Sequence, residues 1–338
     1  MVAPRTLRLT SRHDIVVAVP YLLGFHPANS LVCIALDDKL IRFVARLELP
    51  QSSALDDFAE PAAQTAVLMS RYASAVILVG YGPADHVSQA TAVLTTALHA
   101  IDIDVREVLR VDGDRYWCLC GAPDCADAVA YHPSASIVPA EAVYLGIAPL
   151  PDRPALRQLI TPVTGPDRVR MRAVTETALR RLVGMLADGR AGTASGGHQQ
   201  SSPPEKVVHH GVTAVRRAYA CAVRGDVLSD DDVAWLTAVL MVPEVRDHAW
   251  TTGDGSDEQR RLWIDVTRRA VPELSAAPAC LLAVTAYLGG DGALANIAVE
   301  RALNADPDYR LAHLLGHALQ AGVPPHVWRA AATGTTTD

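Results

Sequence analysis

Two periodicities divide the chain. Up to about residue 119, short apolar runs alternate with helical ones; beyond residue 206 only the helical period remains. Residues 31–36 and 41–47 are short strands separated by Asp37-Asp38-Lys39, which predicts a hairpin. Residues 52–72 carry apolar positions at helical spacing. Residues 75–79 form a continuous apolar strand, as in a sheet buried on both faces. Gly80-Tyr81-Gly82-Pro83 ends that strand, and a helix runs from about 84 to 100. Residues 104–111 are another strand, Asp112-Gly113 is a turn signal, and 115–119 return as its partner.

Before this region, Ser11 and Asp14 have capping-box spacing with Asp in place of Glu, so a helix starts near Arg12. Pro20 starts a second short turn, and Gly24 reads as a left-handed C-terminal glycine with Phe25 beyond it. Residues 130–154 are Pro-rich, with one short helix at 140–145. A long Arg-studded helix spans 165–187. The segment DGRAGTASGGHQQSSPP then reads as a linker. Helices follow at 207–224, 230–240, 258–270, 279–288, 294–304 and 310–321. The expected fold is an α/β domain with a mixed sheet over residues 1–187, a flexible linker over 188–205 and an all-α domain over 206–330. In the last, Ala283, Gly290, Ala295, Ala302, Leu303 and Pro307 have the spacing of one tetratricopeptide repeat. That TPR-like hairpin is either packing or part of a peptide groove.

Composition narrows the function classes. The 338 residues suit two domains, and half are hydrophobic. The net charge of −7 argues against a nucleic-acid partner, although Arg168, Arg170, Arg172, Arg180 and Arg181 gather on one helix. No apolar run has the ~20 residues of a membrane span. Residues 15–25 imitate a signal peptide but are broken by Pro20 and followed by no small-residue cleavage site, so a cytoplasmic protein is expected. Three of the six cysteines, Cys33, Cys221 and Cys280, lie alone in apolar segments, unlike a secreted disulfide framework.

Three stretches are distinctive: AVPYLLGFHPANSLV near the start, RYWCLCGAPDC in the middle and GDGALANIAVERAL before Asp306-Pro307. Together they resemble the actinobacterial family called domain of unknown function 4192, over most of the chain. The resemblance implies a bacterial cytoplasmic protein but no reaction, cofactor or substrate. It also implies a Cys-rich patch after the Arg-aromatic pair, here Cys120 and Cys125 with Cys118 as an extra.

Candidate chemistry falls in four places. In the turn 24–30, His26, Asn29 and Ser30 gather polar groups at a strand's start. Gly24, Pro27, Asn29 and Ser30 also have ordinary turn roles, and only His26 has none. Gly80 and Gly82 end a buried strand before a helix, where a ligand's phosphate could meet backbone N–H groups; no dinucleotide or P-loop fingerprint is complete. Cys118, Cys120 and Cys125, followed by His132, offer soft ligands for zinc. The spacing C-x-C-x4-C-x6-H leaves three outcomes open: a structural metal, a Cys120–Cys125 redox pair, or free thiols. Arg246 and Asp247, flanked by Val245 and Trp250, read as a structural ion pair or cap.

No complete catalytic constellation is present. The first expectation is therefore a non-enzymatic binding or adaptor protein, whose helical domain meets a protein partner or another copy of itself. The alternative is a small-ligand sensor or enzyme, with its site in the α/β domain where the His26 turn, Gly80–Gly82 and the Cys patch converge.

Overall fold

In the computed structural model of the chain, residues 9–50, 55–122, 125, 127–191 and 203–333 are described. Residues 192–202 of the expected linker lie outside them. The chain forms two compact units, Met1–Ala155 and Leu156–Asp338. No helix among the described residues is long and apolar enough to cross a membrane.

The first unit is built on a mixed sheet. Its strands are β1 (Ser30–Asp37), β2 (Leu40–Glu48), β3 (Ala75–Tyr81), β4 (Asp104–Asp112), β5 (Arg115–Cys118) and β6 (Val129–Ala130). Their spatial order is β2-β1-β3-β4-β5-β6. Only β3 and β4 run parallel; the other neighbours are antiparallel. The β3–β4 pair is bridged by α3 (Ala84–His99), as a parallel pair requires a crossover. Strands β1 and β3 are central and buried on both faces, which explains their unbroken apolar sequence.

Alternation sorts the two faces. Leu31, Cys33, Ala35, Val76 and Leu78 point to one side, where α2 (Leu55–Ser70) contributes Phe58, Ala62 and Met69, and α3 contributes Val87, Leu94 and Leu98. Gly80 is needed there, because a Cβ at this position would stand 2.3 Å from Val87 Cγ1. The other face carries Glu107, Leu109, Val111 and Tyr81 toward α1 (Arg12–Leu23), which packs with α4 (Val138–Tyr144) through Val17, Ala18 and Val138.

Helix α1 runs without a break through Pro20 and ends at Gly24 in the left-handed conformation, φ 78°. The sequence suggested a new turn at Pro20, but one lost N–H does not end a helix whose residues 16–20 are all buried. Ser11 caps the helix, its hydroxyl accepting from Asp14 N–H at 3.1 Å. Asp14 accepts from Thr10 N–H and hydroxyl at 3.0 and 2.7 Å, and from the Ser136 hydroxyl at 2.7 Å. These bonds tie the start of α1 to the chain entering α4.

The short α5 (Arg153–Gln158) leads into the second unit. That unit is helical: α6 (Gly165–Ala191), α7 (Glu205–Val223), α8 (Asp230–Val239), α9 (Pro243–Thr251), α10 (Asp257–Arg269), α11 (Ala276–Leu288), α12 (Gly292–Ala305), α13 (Arg310–Gln320) and α14 (Pro325–Thr333). Residues 276–287 of α11 are all buried, so α11 is the core helix. It pairs with α12 through the turn Gly289-Gly290-Asp291, whose Asp caps α12 by accepting from Leu294 N–H at 2.9 Å.

The sequence placed 165–187 in the first domain, but α6 belongs to the second compact unit. Its buried stripe of Met171, Thr175, Ala178 and Leu182 lies toward α8, which it packs against. Three of its arginines are engaged: Arg170 bonds Asp167 and Asp230, Arg172 bonds Glu273, and Arg181 covers the Trp235 ring at 4.1 Å.

Two outcomes follow. G80A is expected to lose about 1–3 kcal/mol of stability by overpacking against Val87, measured from urea midpoints. The Ser136 and Thr10 bonds hold the Asp14 carboxyl well below the usual carboxylate range. A carboxylate depressed in the folded state stabilises fully above its unfolded pKa of about 4 and loses that contribution as pH falls. D14N should therefore cost about 1–3 kcal/mol at neutral pH. The gap to wild type should shrink below about pH 4 in urea unfolding repeated across pH.

Candidate functional site

Antiparallel pairing sets the start of β1 beside the end of β3, with Ser30 opposite Tyr81. Parallel pairing sets Tyr81 beside Val111 at the end of β4. Three loops therefore meet at one edge of the sheet, outside the carboxyl ends of the parallel strands. This is where open α/β sheets bind ligands. A cleft of about 360 Å3 opens there. Its floor is Tyr81 and Val111, and one wall is Val16, Val17, Pro20 and Tyr21 of α1. His26, Asn29, Gly82, Asp112, Tyr131 and Pro133 complete the rim.

The local chemistry explains why the loops stay in place. His26 N–H donates to Leu150 O at 3.0 Å, and Leu150 N–H donates to Gly24 O at 2.8 Å, so the turn is strapped on both sides of Phe25. Asn29 takes φ 46°, a left-handed conformation that Asn tolerates better than most residues. Leu49 N–H donates to its carbonyl at 3.0 Å. Gly82 takes φ 151°, and a Cβ there would stand 2.9 Å from Leu49 Cδ1. Arg110 joins the two strand ends: its Nε donates to Gly82 O at 3.0 Å and its Nη2 to Asp112 Oδ2 at 2.5 Å, while its guanidinium stacks over Trp117 at 4.5 Å.

The cleft has one unsatisfied group. The Tyr81 hydroxyl is buried and has no hydrogen-bond partner among the described residues. Burial pushes its phenol well above the ordinary value, so it stays protonated and available as a donor. The cleft's lining includes no Lys or Arg.

The sequence candidates separate as follows. His26, Asn29 and Gly82 come together in the cleft. The Ser30 hydroxyl is buried and already donates to Ala28 O at 2.6 Å, and Gly80 sits in the ladder beneath α3. Tyr81, Asp112 and Tyr131 were missed. Alternation from Gly80 could have found Tyr81, which must face away from α3; the other two reach the cleft only through strand pairing.

The Cys patch lies on the same face, toward the other end of α1. The sulfurs of Cys118, Cys120 and Cys125 all fall within 4.8 Å of one another, and all three are free thiols. Cys118 ends β5 opposite Leu109, Gly121 at φ 76° turns the chain back, and Cys125 N–H donates to Ala122 O at 2.9 Å. Arg12 at the start of α1 donates through Nη1 to Cys125 Sγ at 3.3 Å and through Nε to Glu107 at 2.9 Å. His132 is not in this group; its carbonyl accepts from His13 Nε2 at 3.1 Å. The patch and the cleft are therefore two places, joined by α1, and only two of the three segments expected to converge line the cleft.

Arg246 and Asp247 are bonded to each other in the middle of α9, with Nε and Nη2 both on Asp247 Oδ1 at 2.9 and 2.8 Å. That oxygen also accepts from Trp250 Nε1 at 3.2 Å. The Arg246 guanidinium also lies 5.8 Å over the Tyr309 ring, so the pair links α9 to the turn before α13.

A family model described as a domain of unknown function, DUF4192, matches residues 13–326. No curated protein and no solved structure matches the chain. The chemistry must therefore be read from the side chains. The Cys120 thiol is exposed and lowered, first by the Ala122 backbone N–H, whereas burial is the main cause that pushes Cys118 up to about 11. In the reduced, metal-free chain, brief iodoacetamide treatment at neutral pH should label Cys120 before Cys118, read by peptide mass spectrometry.

Proposed function

The chain belongs to the DUF4192 family, and on that premise we propose that its α/β unit binds a small organic molecule in the cleft at the ends of β3 and β4. The observation that carries this reading is the buried, unpartnered Tyr81 hydroxyl in the cleft's floor. A buried hydroxyl without a partner costs about 1–3 kcal/mol, and a ligand's acceptor atom would recover it. The lining also describes the ligand. Tyr21, Tyr81, Tyr131 and three prolines suit a flat, largely apolar molecule. With no Lys or Arg in the lining and the Asp112 carboxylate already paired with Arg110, that molecule is neutral rather than a phosphate. The volume sits at the small end of ligand pockets, which run about 300–1,000 Å3.

A second reading keeps the adaptor role, with a protein partner or a second copy meeting the helical unit. Val223 at the end of α7 and Val227 beyond it are 73% and 77% exposed, and the segment of α11 and α12 has the small-residue spacing of one tetratricopeptide repeat.

Native mass spectrometry of the full chain, purified gently under reducing conditions and incubated with a metabolite extract, tests the first reading. A retained organic adduct is expected. It should be lost in A28W, which fills the cleft from its exposed rim, at unchanged circular dichroism. Y81F should weaken binding of the identified ligand about 5–30-fold, the value of one hydrogen bond. A chain that stays bare in every extract overturns the proposal, and a dimer mass in the same spectrum would favour self-association.

A further inference from the structure

The cysteine cluster plays no part in the cleft, and its geometry has a use of its own. We propose that Cys118, Cys120 and Cys125 hold one zinc ion through three thiolates, with Arg12 as an outer-shell donor to the Cys125 sulfur. This is independent of the ligand-binding reading.

Three features support it. The first is number. A disulfide needs two sulfurs about 2.05 Å apart, and would leave the third thiol idle; here three sulfurs converge within 4.8 Å. A tetrahedral zinc with bonds of about 2.3 Å places its sulfurs about 3.8 Å apart, so the cluster needs only a small contraction. The second is how the chain builds it. Cys118 ends β5, the chain stays beside β4 for one more residue through Leu119 N–H and Val108 O before Cys120, and the turn closed by Cys125 N–H and Ala122 O returns the third ligand. The Ala122 N–H points to the Cys120 sulfur, the kind of contact that steadies a bound thiolate.

The third is Arg12, 113 residues from Cys125 in sequence. A zinc ion with three thiolates carries one net negative charge. The guanidinium lies at the site, held by Glu107 on one side and bonded to Cys125 Sγ on the other. Glu107 Oε2 is itself 4.0 Å from Cys118 Sγ, so the Arg12–Glu107 pair closes one flank of the cluster. Three protein ligands leave the fourth position to water or an incoming ligand, the pattern of an open rather than a sealed zinc site. His132, the sequence's fourth candidate, is not needed.

The test uses the full chain with zinc alone as the probe. Reduced protein is loaded with one equivalent of zinc, passed over a desalting column and weighed by native mass spectrometry. One bound zinc per chain is expected. It should be absent in C120S, which changes an exposed side chain and spares the core, and retained in C221S. Cobalt loading should give the intense visible bands of a tetrahedral thiolate complex, weakened in C125S. R12A should lower zinc affinity about 10–100-fold, as loss of an outer-shell partner does, in competition with a chromophoric chelator, and R12K should recover part of it. Reduced wild type that takes up neither metal overturns the proposal. So does zinc binding that survives in C120S. A chain two hydrogens lighter after air exposure, with no metal uptake on reduction, would make the cluster a disulfide pair instead.

Discussion

The α/β unit depends on the buried carboxylate of Asp14. It is 8% exposed and takes hydrogen bonds from Thr10 and from Ser136, so it fixes the start of α1 against the chain that enters α4. Bonds to an ionised group are about twice as strong as neutral ones. Breaking them would strand a charge away from water, which is why this anchor is hard to shift. Everything chemically active in the unit is measured from that helix. Arg12 reaches the thiol cluster from its first turn, Val16, Val17, Pro20 and Tyr21 form the cleft wall, and Gly24 turns the chain into His26.

Helix α1 therefore works as a ruler. Its 12 residues span about 18 Å at 1.5 Å each. That separates the thiols from the cleft on one face of the same sheet. Two chemistries can coexist there because the helix keeps them apart: soft sulfur donors with a cation at one end, aromatic rings and a lone phenol donor at the other. The opposite face is covered by two helices. There α2 and α3 close down on β1 and β3, and Gly80 lets Val87 approach the strand directly.

The helical unit follows another logic. Its core helix α11 is apolar on all sides and surrounded, while α10 closes on α11 and α7 with a charged outer face. The arginines of α6 look like a basic stripe in sequence, yet three of them are held by Asp230, Glu273 and Trp235. An Arg that already has a carboxylate or a ring is a packing element first. This removes most of the local case for a phosphate partner.

Much of this architecture was legible in one dimension. Apolar runs of β1 and β3, the Ser11 cap, the Gly24 stop and the helical period after residue 206 are local consequences of steric and solvation preferences. The three cysteines were legible as a candidate group by their closeness in sequence, but their convergence rests on the turn after β5. The extent of the first unit was not legible. The Gly- and Ser-rich segment marks a break in composition, but α6 sides with the helices because its buried stripe matches α8, a fact carried by a surface and not by a residue. Arg12 at the thiols, and Asp112 and Tyr131 at the cleft, were equally out of reach. Each meets its neighbours through strand order and register, which are set by which long-range pairings bury the most surface together. Sequence fixes what each segment prefers; only the folded sheet decides which segments share an edge.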